Sequence, residues 1–230
     1  MHRFFVDPSA MSGERFPLAA EIAHQVTRVL RLRDGDEITL LDGLGGEARC
    51  RLEGGDCVVL ARGPAGGEPG YKLAVWQALL KGDHLEPVIR HGTEMGIARL
   101  ALMTTERCVT RELSPRRLER LRAVAREAAE QSERGRIPAV EAPVSFEEAL
   151  TAAAPGSVLL FERHDGRRLT ELDLPPDVFI GPEGGFSQDE VAAAERAGLT
   201  IASLGPRILR SETVAVAVAA AILSRTGDFA

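Results

Sequence analysis

The pattern of apolar and polar positions divides the chain into two regimes. Over residues 1–70 the runs DEITLLDG, EARCRLEG and CVVLARG are short, and Asp42-Gly43 and Gly54-Gly55 separate them as the turns of β-hairpins do. Ahead of them, LAAEIAHQVTRVLRL places Ile22, Val26, Val29 and Leu30 on one face of an amphipathic helix. A small barrel with one or two helices fits this part. The stretch RGPAGGEPGY (62–71) is rich in Gly and Pro and marks a domain boundary, giving domains of 1–70 and 71–230.

Beyond the boundary, strand-like and helix-like segments alternate. KLAVWQAL reads as a strand, Asp83 to Met95 as a helix, and ARLALM as the next strand. Ser114-Pro115 is an N-cap and first-turn pair for a long helix reaching about Glu133. PAVEAPV is strand-like, and Ser145 with Glu148 forms a capping box that opens the following helix. SVLLFE, DVFIG and TIASLG read as three more strands. Between the last two, Ser187 and Glu190 form another capping box, and Gly198 closes the helix QDEVAAAERAG. The fold class is therefore α/β, a mostly parallel sheet with helices on both faces. The C-terminal TVAVAVAAAILSR alternates with a period of two, but its length, its alanines and Ser211 as an N-cap favour a buried helix.

Composition narrows the setting. No apolar stretch approaches the roughly 18 residues that span a membrane, and MHRFFVDP lacks the apolar core of a signal peptide, so a cytoplasmic location is expected. Cys50, Cys57 and Cys108 have neither disulfide nor zinc-ligand spacing, so no metal is expected. The formal net charge of −6 argues against a nucleic-acid partner, yet residues 107–136 hold nine arginines against five carboxylates. That cluster reads as a solvated, ion-paired helix or as a basic surface. Only Lys72 and Lys81 are lysines.

Chemistry is concentrated at three strand ends: LLFERHDG, FIGPEGGF and SLGPRILRSET. In an open α/β sheet, ligands bind beyond the carboxyl ends of the strands. Glycines there permit close backbone approach and proline stiffens the loop. No Gly-Lys-Ser/Thr follows the glycines and no GxGxxG is present, so this is neither a phosphate loop nor a dinucleotide fingerprint. Glu183 opposes a phosphate and suits a ligand with a planar heterocycle and a positive centre. A plain strand-to-helix bend is the alternative.

The segments IGPEGGFSQDE, LGPRILRSET, HGTEMG and EAAEQSERGRIP, with HRFFVDP and HQVTRVLRLRDGDEITLLDG near the start, resemble the RNA methyltransferases that modify N3 of uridine in 16S ribosomal RNA. The resemblance covers essentially the whole chain. It implies a PUA-like RNA-binding barrel (1–70), a SPOUT-type methyltransferase domain (71–230) with a C-terminal trefoil knot, a homodimer, and S-adenosylmethionine held in the knot. It assigns Gly181, Pro182, Glu183, Gly184 and Gly185 to one cofactor loop. Leu204, Gly205, Arg207, Ile208 and Leu209 fall in the second, with Leu160 and Phe161 bordering the same pocket. Ser211-Glu212-Thr213-Val214 departs from the family's usual Thr-Glu-Thr-Ala.

Methylation at uracil N3 needs a base for the N3 proton or a cation for the anion spread over O2 and O4. Arg210 is the candidate cation, or else a loop strut paired with Glu183 or Glu212. Glu94 is a candidate base or substrate contact, or else a carboxylate ending a helix; His91 and His164 are further options. Arg3, Arg28 and Arg31 on the small domain, with Arg126 and Arg134 on the large one, are the candidate RNA contacts. Two other readings stay open: a ribose 2′-O-methyltransferase of the same superfamily, against which Arg-Ile-Leu-Arg in the last loop argues, and an RNA-binding protein without catalysis.

Overall fold

The computed structural model describes residues 2–162 and 166–229. Internal contacts divide the chain into two units, Met1–Glu68 with Ala129–Ile137, and Pro69–Ala128 with Pro138–Ala230.

The smaller unit contains β1 (His2–Phe5), β2 (Arg15–Pro17), α1 (Ala20–His24, continued by a π-helical turn Gln25–Val29), β3 (Glu37–Leu41), β4 (Gly46–Glu53) and β5 (Asp56–Pro64). The strands form one sheet of order β1-β3-β4-β5-β2. It is antiparallel except where β1 runs parallel to β3. Hairpin geometry follows the turn residues. The Asp42 carboxylate accepts from the N–H groups of Leu44 and Gly46 at 2.7 and 2.8 Å, an Asx-type turn. Gly54 and Gly55 both take positive φ between β4 and β5, which a larger residue would resist. Phe4, Ile38, Leu40, Leu52 and the thiols of Cys50 and Cys57 pack with Val26 into the core. Cys50 beside it, together with burial, pushes the Cys57 thiol far up, so it stays protonated and inert.

Segment 129–137 joins this unit although it lies far away in sequence. Ala129 packs with Phe5 and Leu41. Arg134 is 2% exposed and forks onto Glu68, with Nε to Oε1 at 3.2 Å and Nη2 to Oε2 at 2.9 Å. The division into 1–70 and 71–230 misses this segment, because a contact between distant parts of the chain leaves no trace in local periodicity.

The larger unit follows strict alternation: β6 (Ala74–Ala78), α2 (Leu85–Glu94), β7 (Arg99–Thr104), α3 (Pro115–Gln131, whose last residues pass into the smaller unit), β8 (Ala139–Ser145), α4 (Phe146–Ala152), β9 (Val158–Leu160), β10 (Asp177–Ile180), α5 (Gln188–Arg196), β11 (Thr200–Ala202) and α6 (Ser211–Leu223). All six strands are parallel, in the order β11-β9-β10-β6-β7-β8. Every residue of β6, β9 and β10 is buried, so both faces of the sheet are covered. Trp76 stacks on Phe179 at 5.6 Å and Phe146 meets Phe179 edge-on at 6.4 Å, each pair adding about 0.5–1.5 kcal/mol beyond burial.

Local signals hold at the helix ends. Both capping boxes, Ser145 with Glu148 and Ser187 with Glu190, are formed in full. Gly198, at φ +86°, follows the end of α5. The Val/Ala alternation near the C-terminus is a helix, because Ala215, Val218, Ala219 and Ile222 bury at helical spacing. Its cap differs from expectation. Arg210 occupies the cap position and Ser211 is the first helical residue, its hydroxyl directed elsewhere. Among the described residues, no helix is long and apolar enough to cross a membrane.

Candidate functional site

Strand order explains why the three unusual loops belong together. β9 lies between β10 and β11, and β6 borders β10 on its other side. The chain builds outward from β6 in one direction, through β7 and β8, and fills the opposite side later. The carboxyl ends therefore meet at a change of winding direction, where open α/β sheets bind ligands. A cavity of about 470 Å³ opens there, within the usual small-molecule range of about 300–1,000 Å³.

Leu160 and Phe161, at the end of β9, line one wall with Glu162 beyond them. Gly181, Pro182, Glu183 and Gly185 line the second, with Phe186 behind. Leu204, Gly205, Arg207, Ile208, Leu209 and Arg210 form the third. A side chain would be crowded at two points of the turn. A Cβ on Gly181 would stand 3.2 Å from the Phe186 ring, and one on Gly185, already at φ +67°, would stand 2.9 Å from the Glu162 carboxylate. Gly185 N–H donates to the Pro182 carbonyl at 2.9 Å, which closes the turn. Glu183 Oε1 accepts from the Lys81 N–H at 3.1 Å, tying the turn to the connection after β6.

Gly184 behaves differently from the expectation that it walls the cavity. It is not part of the lining. A Cβ there would meet the Cβ of Arg107 at 3.1 Å, and Arg107 Nη1 donates to the Gly184 carbonyl at 3.1 Å. Its glycine serves contact with the loop after β7.

Arg210 lies on the rim with its side chain 84% exposed, and Nη1 stands 4.0 Å from Glu212 Oε1. An exposed pair at that distance is worth at most about 1 kcal/mol, so the guanidinium is free to engage a substrate. Its alternative partner, Glu183, is bonded to Lys81 instead. Glu212 Oε1 also lies 3.5 Å from Nδ1 of His84.

Other candidate residues fall outside this cavity. Glu94 ends α2, pairs with His91 Nδ1 at 3.1 Å, and does not line it. His164 lies outside the described residues. Arg3 is paired with Glu47 at 3.2 Å and largely buried. Arg134, expected on the large domain, belongs to the small unit and is buried against Glu68. Neither guanidinium is presented to a partner. Arg28 and Arg31 are exposed on the small unit, and Arg126 is exposed on α3.

Several lining residues were not anticipated: Lys81, His84, Glu162, Phe186, Ser211 and Glu212. Lys81 and His84 follow β6, and only the pairing of β6 with β10 brings them to the site. A reading that also took the end of β6 as a neighbour would have found them. The lining as a whole offers flat apolar surface from Leu160, Phe161, Ile180, Phe186 and Leu209, main-chain groups from two loops, and three carboxylates beside the cations Lys81, Arg207 and Arg210. Both signs of charge are present, so the residues fit a ligand that joins a heterocycle to a positive sulfonium and a carboxylate. Among the described residues no cluster of His, Cys, Asp or Glu is placed to hold a metal ion.

Comparisons with known proteins agree with this geometry. A family model described as an RNA methyltransferase domain matches residues 68–223, and one described as an RNA methyltransferase PUA domain matches residues 18–57. Ribosomal RNA small subunit methyltransferase E of Synechocystis is 34% identical over 224 residues, covering 92% of this chain and 74% of that protein. The protein of the same name from Bacillus subtilis is 30% identical, covering 98% and 97%. The crystal structure of ribosomal RNA small subunit methyltransferase E from Neisseria gonorrhoeae, bound to S-adenosyl methionine, superposes with a TM-score of 0.89 at 29% identity over 100% of both chains.

Proposed function

We propose that this chain, which belongs to the RNA methyltransferase family, transfers a methyl group from S-adenosylmethionine to N3 of a uridine in 16S ribosomal RNA of the small subunit. The observation that carries the reading is the cavity where a glycine turn and an arginine-bearing loop face each other across apolar walls and carboxylates. S-adenosylmethionine, when bound, supplies an electrophilic methyl group on a sulfonium. Main-chain groups of the turn 181–185 and of the loop 204–209 would hold the adenine, with Leu160 and Phe161 against its face. Glu162, Glu183 and Glu212 favour the positive end.

The chain's own work is to position and to stabilise charge. Uracil N3 becomes nucleophilic when its proton passes to solvent, and the negative charge then spreads over O2 and O4. As the N3–methyl bond forms, the S–methyl bond breaks and the sulfonium leaves as a neutral thioether. Arg210, on the rim and free of a strong partner, would meet that anion. A cation aimed at the developing charge lowers the barrier to the anion, and alignment of N3 with the methyl group contributes the remainder.

The smaller unit serves as a PUA-like RNA-binding barrel in this reading, with Arg28 and Arg31 as its exposed cations. The segment behind β10 is threaded as a trefoil knot. In support, β11 lies beyond β9, and the chain returns so that Ser211 touches Gly181. Two chains form a homodimer acting on small subunits in the cytoplasm. In support, α6 is apolar from Val214 to Leu223 yet leaves Val214, Val216, Ala217 and Ala220 only partly covered. Sedimentation at the mass of a single chain would exclude the dimer.

The test is methyl transfer from labelled cofactor to small ribosomal particles that lack the modification, followed by nucleoside analysis. Labelled 3-methyluridine is expected. A label recovered in a 2′-O-methyl nucleoside, or none at all, would overturn the reading.

A further inference from the structure

β6 reads AVWQA and is buried along its whole length, yet its fourth residue is Gln77, with 0% exposure. An apolar side chain would occupy that place without the cost of burying an amide. Nε2 of Gln77 donates to the Ala78 carbonyl and to Ser211 Oγ, both at 3.1 Å. Oε1 has no hydrogen-bond partner among the described residues. A buried acceptor left unpaired is destabilising, so the glutamine comes at the expense of stability.

What the amide accomplishes is visible one bond further on. Ser211 Oγ donates to the Gly181 carbonyl at 2.6 Å. Ser211 opens α6 and Gly181 opens the glycine turn, and both line the cavity, whereas Gln77 does not. A hydroxyl has one proton and accepts through its lone pairs. With Gln77 donating to that oxygen, the proton of Ser211 is left to point at Gly181, and each bond polarises the next.

We infer that Gln77 and Ser211 are positioning residues that fix the separation of the two cofactor loops. Ser211 braces the loop that precedes α6 against the turn that follows β10, and Gln77 sets the direction of the bracing hydroxyl. The inference rests on the cofactor assignment proposed above. It gives Ser211 a task that a helix cap would not, and a threonine would perform it equally well.

Calorimetric binding of S-adenosylmethionine, thermal melting and steady-state kinetics on the full chain test it. Gln77→Leu is expected to melt at or above the unaltered protein while its cofactor affinity falls about 3- to 10-fold, the equivalent of one hydrogen bond. Ser211→Ala is expected to lose about tenfold, chiefly as a raised KM for the cofactor, and Ser211→Thr to stay within about twofold. A purely structural role would instead lower the melting temperature of Gln77→Leu and leave affinity intact. Unchanged affinity in Gln77→Leu and Ser211→Ala, or failure of Ser211→Thr to retain binding, would overturn the inference alone. Absence of binding by the unaltered chain would overturn the functional reading and this inference with it.

Discussion

Arg107 donates from Nη1 to the carbonyl of Gly184 at 3.1 Å, joining residues 77 apart in sequence. The loop after β7 is thereby fastened to the outer side of the turn whose inner side forms the cavity. A second bond reinforces it, from the Glu106 N–H to Glu190 Oε1 at 2.7 Å.

The two adjacent glycines of the turn should therefore respond differently to a methyl group. In Gly184→Ala the new Cβ meets the Arg107 Cβ at 3.1 Å, outside the cavity lining, so the loop after β7 must give by a few tenths of an ångström. In Gly185→Ala it meets Glu162 at 2.9 Å at φ +67°, and the left-handed backbone alone costs about 1–2 kcal/mol. Cofactor affinity is expected to fall by no more than about threefold in the first and by about tenfold or more in the second. Equal losses in a binding titration would show that Gly184 faces the ligand.

Arg210→Ala should separate chemistry from binding. Its side chain is 84% exposed and weakly paired, so stability is expected to change by less than about 0.5 kcal/mol. Turnover is expected to fall by about 10²–10³-fold, the size seen when one stabilising donor is removed, with cofactor affinity nearly unchanged. Single-turnover methylation of small subunits measures this directly, and unaltered turnover would make Arg210 a loop strut.

The arginines named as RNA contacts divide by burial. Arg134→Met leaves Glu68 without its forked partner. Breaking a buried pair from one side costs about 3–5 kcal/mol, and this one should fall near the lower figure because Glu68 is 21% exposed. Arg28→Ala with Arg31→Ala should leave the melt unchanged and weaken RNA binding. The salt dependence of binding should also become shallower, by roughly one unit of log–log slope for each phosphate no longer neutralised. A filter-binding series over salt concentration decides between these outcomes.

The capping box of α4 gives a pH dependence of known sign. The Ser145 N–H, bonded at 2.8 Å, and the Ser145 hydroxyl hold the Glu148 carboxyl below its ordinary value. A carboxyl depressed by folding stabilises the native state above its unfolded pKa of about 4.3, and that contribution is lost as pH falls through the lower folded value. Glu148→Gln should therefore flatten the decline in melting temperature between about pH 5 and pH 3, relative to the unaltered chain. Parallel declines in the two proteins would show that the carboxylate contributes nothing.

The range of each interaction decides how far it is legible in the sequence. Hairpin turns at Asp42-Gly43 and Gly54-Gly55, both capping boxes, and the order of strands and helices all depend on contacts within a few residues, and they are readable in the chain. The three loops are likewise visible, two by glycine and proline that answer local backbone demands and the third by its Phe-Glu-Arg-His cluster. The division of labour inside the turn is not. Gly184 and Gly185 are chemically identical, and only the approach of Arg107 on one side and Glu162 on the other distinguishes them. Arg28 and Arg134 also look alike in sequence, yet Glu68 draws one into the interior.

The sequence by itself determined the secondary elements, the location of the chemistry at strand ends and, through its motifs, the family. Tertiary structure alone decided the strand order, which brings Lys81 and His84 to the cavity. It placed Ala129–Ile137 with the smaller unit, and it turned Ser211 from an apparent helix cap into a brace on Gly181. Each of those outcomes depends on which distant groups become neighbours. Local periodicity carries no record of that, because the same helix or strand forms whatever lies against it.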